Sequence, residues 1–290
     1  MAALGKFTDS NLAATATITG GAWSLAPLSL ANLLSDERFV AAPARCPNCA
    51  SLANSQFDVA LANAATVNFV GFMFHTMSLA AKFRLTGKAP GGTWGSPAFV
   101  TDWMDVYGRL YDSAELPWEA ENWWLGQVLS SEIDLFRRHR FFSFDEQLVD
   151  ALRFEFDDVT NPAGFIDLGG VWISSTFSPA VNFERGRDLG FEVRSQQDEG
   201  PSGRLFTEER ASRRVLNISW QALTTAEARR MFDAGARAGI GKTVVFVPDS
   251  DDEAGGVREA FPAVFKTPPP ARFNYPTLNP VAATFREILA

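Results

Sequence analysis

Along most of the chain, apolar and polar residues alternate in short runs separated by Gly, Pro, Asn and Asp. A period of two bounded by turn residues predicts β-strands. The run at 66–74 (TVNFVGFMF) is almost continuously apolar, as expected of a strand buried on both faces. A tight connection at 75–78 (HTMS) leads into 81–85, where Lys82 and Arg84 alternate with Phe83 and Leu85. Residues 152–156 (LRFEF) alternate again. Asn161-Pro162-Ala163-Gly164 then supplies a turn, and 165–173 returns as a strand with Gly169-Gly170 as a bulge. Beyond 174–180 further strands are predicted at 190–195, 204–207, 214–220, 244–247, 263–266 and 281–289, with a polar loop at 249–257 and a stiff TPPP connector at 267–270.

Two stretches depart from this alternation. In 117–138, Trp118, Trp123, Trp124, Leu125, Val128, Leu129, Ile133 and Phe136 fall at spacings that predict a helical insertion with a broad apolar face. In 225–238, Ala228, Met231, Phe232 and Ala236 recur at helical spacing behind Thr224 and Glu227, the pattern of a capping box. Gly239 and Gly241 end that helix, and the strand 244–247 follows. The segment 236–243 (ARAGIGKT) satisfies the permissive form of the phosphate-binding loop. A phosphate loop runs from strand to helix and aims backbone N–H groups at the phosphates; this one runs from helix to strand, so Lys242 faces helix carbonyls. The motif is therefore read as a helix stop and strand start, not as a nucleotide site.

The predicted elements divide the chain into two domains. Residues 1–175 form a β-sandwich of jelly-roll or galactose-binding-like type carrying the insertion at about 117–138, and 176–290 form an α+β domain, an antiparallel sheet with one helix. At 290 residues, 46% of them hydrophobic, there is material for a core in each. The net charge of −8 lies wholly in the first part, with 11 Lys and Arg against 19 Asp and Glu up to residue 175 and 15 against 15 beyond it. An acidic domain repels phosphate backbones, so sequence-specific nucleic-acid binding is not expected. No apolar segment approaches membrane-spanning length and the N-terminus lacks a secretory pattern, so synthesis in a cytoplasm without membrane insertion is expected.

Candidate chemistry is sparse. Cys46 and Cys49 (RCPNCAS) read as two small loop cysteines or a local disulfide, with a metal half-site or a redox dithiol as alternatives. The two histidines, His75 in a hairpin turn and His139 in the basic run 137–140, lie in no recognised nucleophile–base pattern and read as turn or surface residues. Asp249, Asp251, Asp252 and Glu253 lack the EF-hand spacing and read as a solvated acidic loop. No catalytic, cofactor-binding or metal-ligating residue is assigned, and no enzymatic activity is expected. Seven of the eight tryptophans precede residue 175. The bland reading is core. The sharper one makes Trp94, Trp103, Trp118, Trp123 and Trp124 stacking platforms for a sugar.

The pairing of NFVGFMFHTMSLAAKFRLTG with ALRFEFDDVTNPAGFIDLGGVWI resembles the discoidin-like, galactose-binding-like sandwich of bacteriophage and prophage tail proteins. Phe74-His75-Thr76 stands where that family has a Gly-His-Asn-like turn, and 161–166 (NPAGFI) keeps its later hairpin nearly intact. The stretches SPAVNFERGRDLGFEVRSQQ and 213–252 resemble the tail-tube-like second half of the same proteins. The resemblance implies a structural subunit of a siphophage tail tip, similar to a distal tail or baseplate protein. It further implies self-association in a ring, commonly hexameric in the family, with tail tube, hub and fibre proteins as partners and the virion tail as location. Recognition of a host surface polysaccharide by the sandwich is the alternative function.

Overall fold

A computed structural model describes every residue except 1–3, 36–40, 113, 134–137, 185, 200, 272, 274–277 and 290. The chain is mainly β and divides into two compact units, one of residues 10–177 with 249–260, the other of 1–9, 178–248 and 261–289. The chain thus passes between units near residues 10, 178, 249 and 261. Among the described residues no helix is long and apolar enough to cross a membrane.

Strand β1 (Lys6–Thr8) belongs to the unit described second. The sandwich unit contains β2 (Thr17–Thr19), β3 (Ala44–Cys46), β4 (Phe57–Met73), β5 (Lys82–Lys88), β6 (Phe99–Val100), β7 (Met104–Asp105), β8 (His139–Asp157), β9 (Ile166–Leu168) and β10 (Gly170–Ser174). Its main antiparallel sheet runs β10-β4-β8-β5-β6, with β2 also on β4 and β7 also on β5, while β3 and β9 pair separately. Alternation on β4, β5 and β8 sends Phe57, Val59, Phe83, Leu85, Leu152, Phe154 and Phe156 inward, where they pack with Ala44, Cys46, Ile166 and Leu168 of the small sheet. That shared core makes the arrangement sandwich-like. The continuous apolar run at the end of β4 is buried throughout, residues 69–73 lying between β8 and β10.

Two connections differ from the sequence reading. Strands β4 and β5 do not form a hairpin, because β8 lies between them. The linking residues are held elsewhere: His75 N–H donates to Arg138 O, Thr76 N–H to Asp167 O, and Ser78 N–H to Asp158. Nor is Gly169 a bulge within one strand. The chain changes sheets there, β9 pairing with β3 and β10 with β4. The turn at 161–164 forms as expected, with Gly164 at φ 73° and its N–H donating to Asn161 O.

The second unit contains β11 (Asp188–Glu192), β12 (Gln196–Glu199), β13 (Leu205–Glu208), β14 (Arg213–Leu223), the helix Thr225–Ala238, β15 (Val244–Val247), β16 (Phe261–Thr267) and β17 (Asn279–Glu287). Its six-stranded antiparallel sheet runs β1-β15-β16-β17-β14-β11. Thr224 and Glu227 complete the capping box, satisfying two N–H groups that a helix start leaves orphaned. Ala228 and Met231 of the helix are buried, as are Trp220, Phe246, Phe265 and Phe285 of the sheet, with Phe285 5.3 Å from both Phe246 and Phe265. Arg214 and Glu287 form a buried ion pair at 2.7 Å, with Phe261 4.7 Å from the guanidinium. Strands β12 and β13 form a separate ribbon beyond β11 and β14, every residue of it exposed.

Candidate functional site

The eight tryptophans sort by what covers them. Trp172 and Trp220 are core, and Trp23 is half-buried with its indole N–H donated to Gln56 O. Trp94 and Trp103 lie over the outward face of the main sheet, where cross-strand register places Arg84 opposite Glu155 and Arg153 opposite Asp58. Both pairs are two-pronged, at 2.8 and 2.8 Å for Arg84–Glu155 and 2.7 and 2.9 Å for Arg153–Asp58. The carboxylates raise the guanidinium pKa values, chiefly through these hydrogen bonds. The Arg84 guanidinium stands 4.7 Å from the Trp103 ring and that of Arg153 4.4 Å from Trp94. One face of each half-buried indole is therefore occupied by a cation that is itself paired, so these rings brace the sheet.

Trp118, Trp123 and Trp124 are arranged differently. The spacing at 117–138 predicted a helix, but the described residues form successive turns: Ala120 N–H donates to Pro117 O, Trp123 N–H to Ala120 O, and Gly126 N–H to Asn122 O at 2.7 Å. Gly126 at φ 62° stops helical propagation. Phe136 and Arg137 lie outside the described residues. Leu110 and Tyr111 N–H both donate to Gly126 O, at 2.7 and 2.9 Å, while Asn122 donates to Gln127 O and the Gln127 amide to Tyr107 O. Arg258, from the 249–260 segment, donates to Leu110 O at 2.9 Å. The loop base is thus pinned from several directions.

On this base the three indoles form a connected patch. Trp123 is central, 6.4 Å from Trp118 and 4.8 Å from Trp124, with interplanar angles of 75° and 86°. Trp118 is 72% exposed and Trp124 79%, with Leu125 at 64% beside them. Trp123 between them is half-buried, and a connected group of indoles with two rings exposed is a candidate contact surface. The aromatic spacing in the sequence pointed to the place; its reading as a core-facing helix did not hold, because the described residues form turns, with Val128 buried while Trp118, Trp124 and Leu125 are exposed.

The remaining candidates are dispersed. His75 is 2% exposed, not at the surface, and packs on Phe72 and Tyr107, with Nδ1 lacking a hydrogen-bond partner among the described residues. Burial, reinforced by the Arg138 charge, pushes its pKa from 6.5 down to about 3. His139 is half-buried at the start of β8 and accepts from Phe74 N–H at 3.4 Å. Cys46 and Cys49 are buried free thiols whose pKa values burial raises. Among the described residues no group of three or more His, Cys, Asp or Glu gathers as a metal would require. The expected loop at 249–257 instead holds a short helix, Glu253–Glu259, started by Asp252 accepting from Gly255 N–H. Lys242 is exposed, and its N–H donates to Ala238 O while that of Gly239, at φ 56°, donates to Gly235 O. These N–H groups are spent on the end of a helix, so no phosphate cradle forms.

No family model matches the chain, and neither does any curated protein. Among solved structures it is similar to CBM32-1 from a family 31 glycoside hydrolase of Clostridium perfringens, at 8% identity and TM-score 0.37, covering 57% of this chain and 97% of that one. A Streptococcus pneumoniae fucose binding module gives 10% identity, 57% and 94% coverage and TM-score 0.34. Chitosan-binding module 1 from a chitosanase/glucanase of Paenibacillus sp. IK-5 gives 16%, 57% and 99%, and 0.32. The class of this chain, a mainly β protein with sandwich-like sheets and few helices, is defined by its own strands and their pairing.

Proposed function

We propose that the sandwich unit is a non-catalytic carbohydrate-binding unit whose contact surface is the Trp118–Trp123–Trp124 patch. The observation that carries this reading is the pair of indoles at 72% and 79% exposure on a loop fastened at its base. An indole face carries negative quadrupolar density, and the C–H groups on one face of a pyranose ring present complementary positive edges. A pinned loop also lowers the ordering cost of binding. The test is a glycan array probed with the full chain and with a Trp118→Ala/Trp124→Ala variant. Wild-type binding that drops at least about tenfold in the variant supports the reading; no glycan bound by the wild type removes it.

A second reading concerns the other unit and is favoured by its ribbon. Phe191 on the edge strand β11 and Val193 just past its end, with Leu205 and Phe206 on β13, are 70%, 69%, 61% and 57% exposed, and a two-stranded ribbon is marginal in water. Such an edge suits pairing with another chain. On this reading the protein is a structural subunit of a siphophage tail tip, self-associating in a ring and meeting tube, hub and fibre proteins in the virion, with the sandwich as its glycan-contacting part.

A further inference from the structure

The loop segment that carries the indoles is acidic in sequence, with Arg109 and Arg258 engaged at its base. From residue 112 to 132 the charged side chains are Asp112, Glu115, Glu119, Glu121 and Glu132, without a Lys or Arg. Three of these are engaged: Asp112 lies 3.8 Å from Arg109, Glu115 accepts the Asp112 N–H, and Glu132 accepts the Tyr111 hydroxyl. Glu119 and Glu121 are exposed and have no hydrogen-bond or ion-pair partner among the described residues. They immediately follow Trp118 and precede Trp123 in the turn that presents both rings.

Resting on the carbohydrate-binding reading, we infer that the ligand class is a glycan bearing free, protonated amino groups. Two features of the patch select that chemistry together. An ammonium group over an indole face gains a cation–π interaction that a neutral hydroxyl does not. Two exposed carboxylates in the same turn attract it further and repel uronate or sulfated chains. A neutral glycan could use the rings alone and would leave Glu119 and Glu121 without a role. A cationic glycan uses all of them.

The experiment is calorimetric titration of the full chain with three probes of matched length, a glucosamine oligomer, its fully N-acetylated counterpart and a galacturonate oligomer, at low and high salt. The expected order is glucosamine first, N-acetylated second and galacturonate last, with the glucosamine preference shrinking at high salt. A Glu119→Gln/Glu121→Gln variant, altered only at exposed side chains, keeps its melting temperature, loses about three- to tenfold in affinity for the glucosamine oligomer and is unchanged toward the N-acetylated one. Equal affinity for the two oligomers, untouched by the Gln variant, overturns the inference and leaves carbohydrate binding standing. Binding of no saccharide removes both. An oligolysine peptide bound as tightly as the glucosamine oligomer also overturns it, assigning the patch to a basic protein.

Discussion

His75 illustrates how one buried residue ties stability to pH. Its ring is enclosed by Phe72 and Tyr107, and its pKa is held at about 3 against 6.5. In the unfolded chain the imidazole takes up a proton near pH 6.5, whereas in the folded protein it stays neutral. The contribution to stability is therefore complete above 6.5 and is lost at about 1.4 kcal/mol per pH unit as pH falls toward 3. Urea unfolding of wild type and a His75→Asn variant at pH 7 and at about pH 5 isolates this term. The gap between the two proteins should narrow on acidification; parallel behaviour would show that His75 is not the group responsible. The cysteines give a simpler expectation. Buried thiols with raised pKa values should resist alkylation until the protein is unfolded, and prompt labelling of the native protein would contradict their placement.

At the scale of elements, the Trp-bearing loop depends on Gly126. A Cβ there would meet the Tyr111 carbonyl oxygen and the Arg109 side chain, and the backbone is left-handed at φ 62°. Gly126→Ala should cost about 1–3 kcal/mol in stability and weaken glycan binding without touching an indole. A variant with unchanged melting temperature would show that the loop base is not fixed as described. The same loop marks where the sequence could be read and where it could not. The Thr225–Ala238 helix was legible to the residue, because Thr224, Glu227 and Gly239 are local signals. The 117–138 stretch offered helical spacing, but spacing alone cannot say whether an apolar stripe is covered: Val128 is buried while Trp118, Trp124 and Leu125 are exposed. Likewise 81–85 was legible as a strand, yet its neighbour is β8, some seventy residues distant in sequence, which no local pattern encodes.

For the whole molecule, the second unit makes its own prediction. Replacing residues 196–208 by a short turn should leave the six-stranded sheet folded, since β12 and β13 pair only with each other. If the ribbon mediates self-association, the trimmed protein should sediment as a smaller species than the parent; identical sedimentation of a large assembly would place the contact elsewhere. The excess acid of the first 175 residues includes Glu119 and Glu121 of the indole loop, the charge on which the proposed ligand class rests. The central claim remains that carbohydrate meets this protein at three named rings. It is tested most directly by titrating protein labelled with 15N at tryptophan and following the eight indole N–H signals by NMR. Saturable shifts should be confined to Trp118, Trp123 and Trp124, with Trp23, Trp94, Trp103, Trp172 and Trp220 unmoved. Shifts centred on Trp94 or Trp103, or no shift with any glycan, would contradict the account.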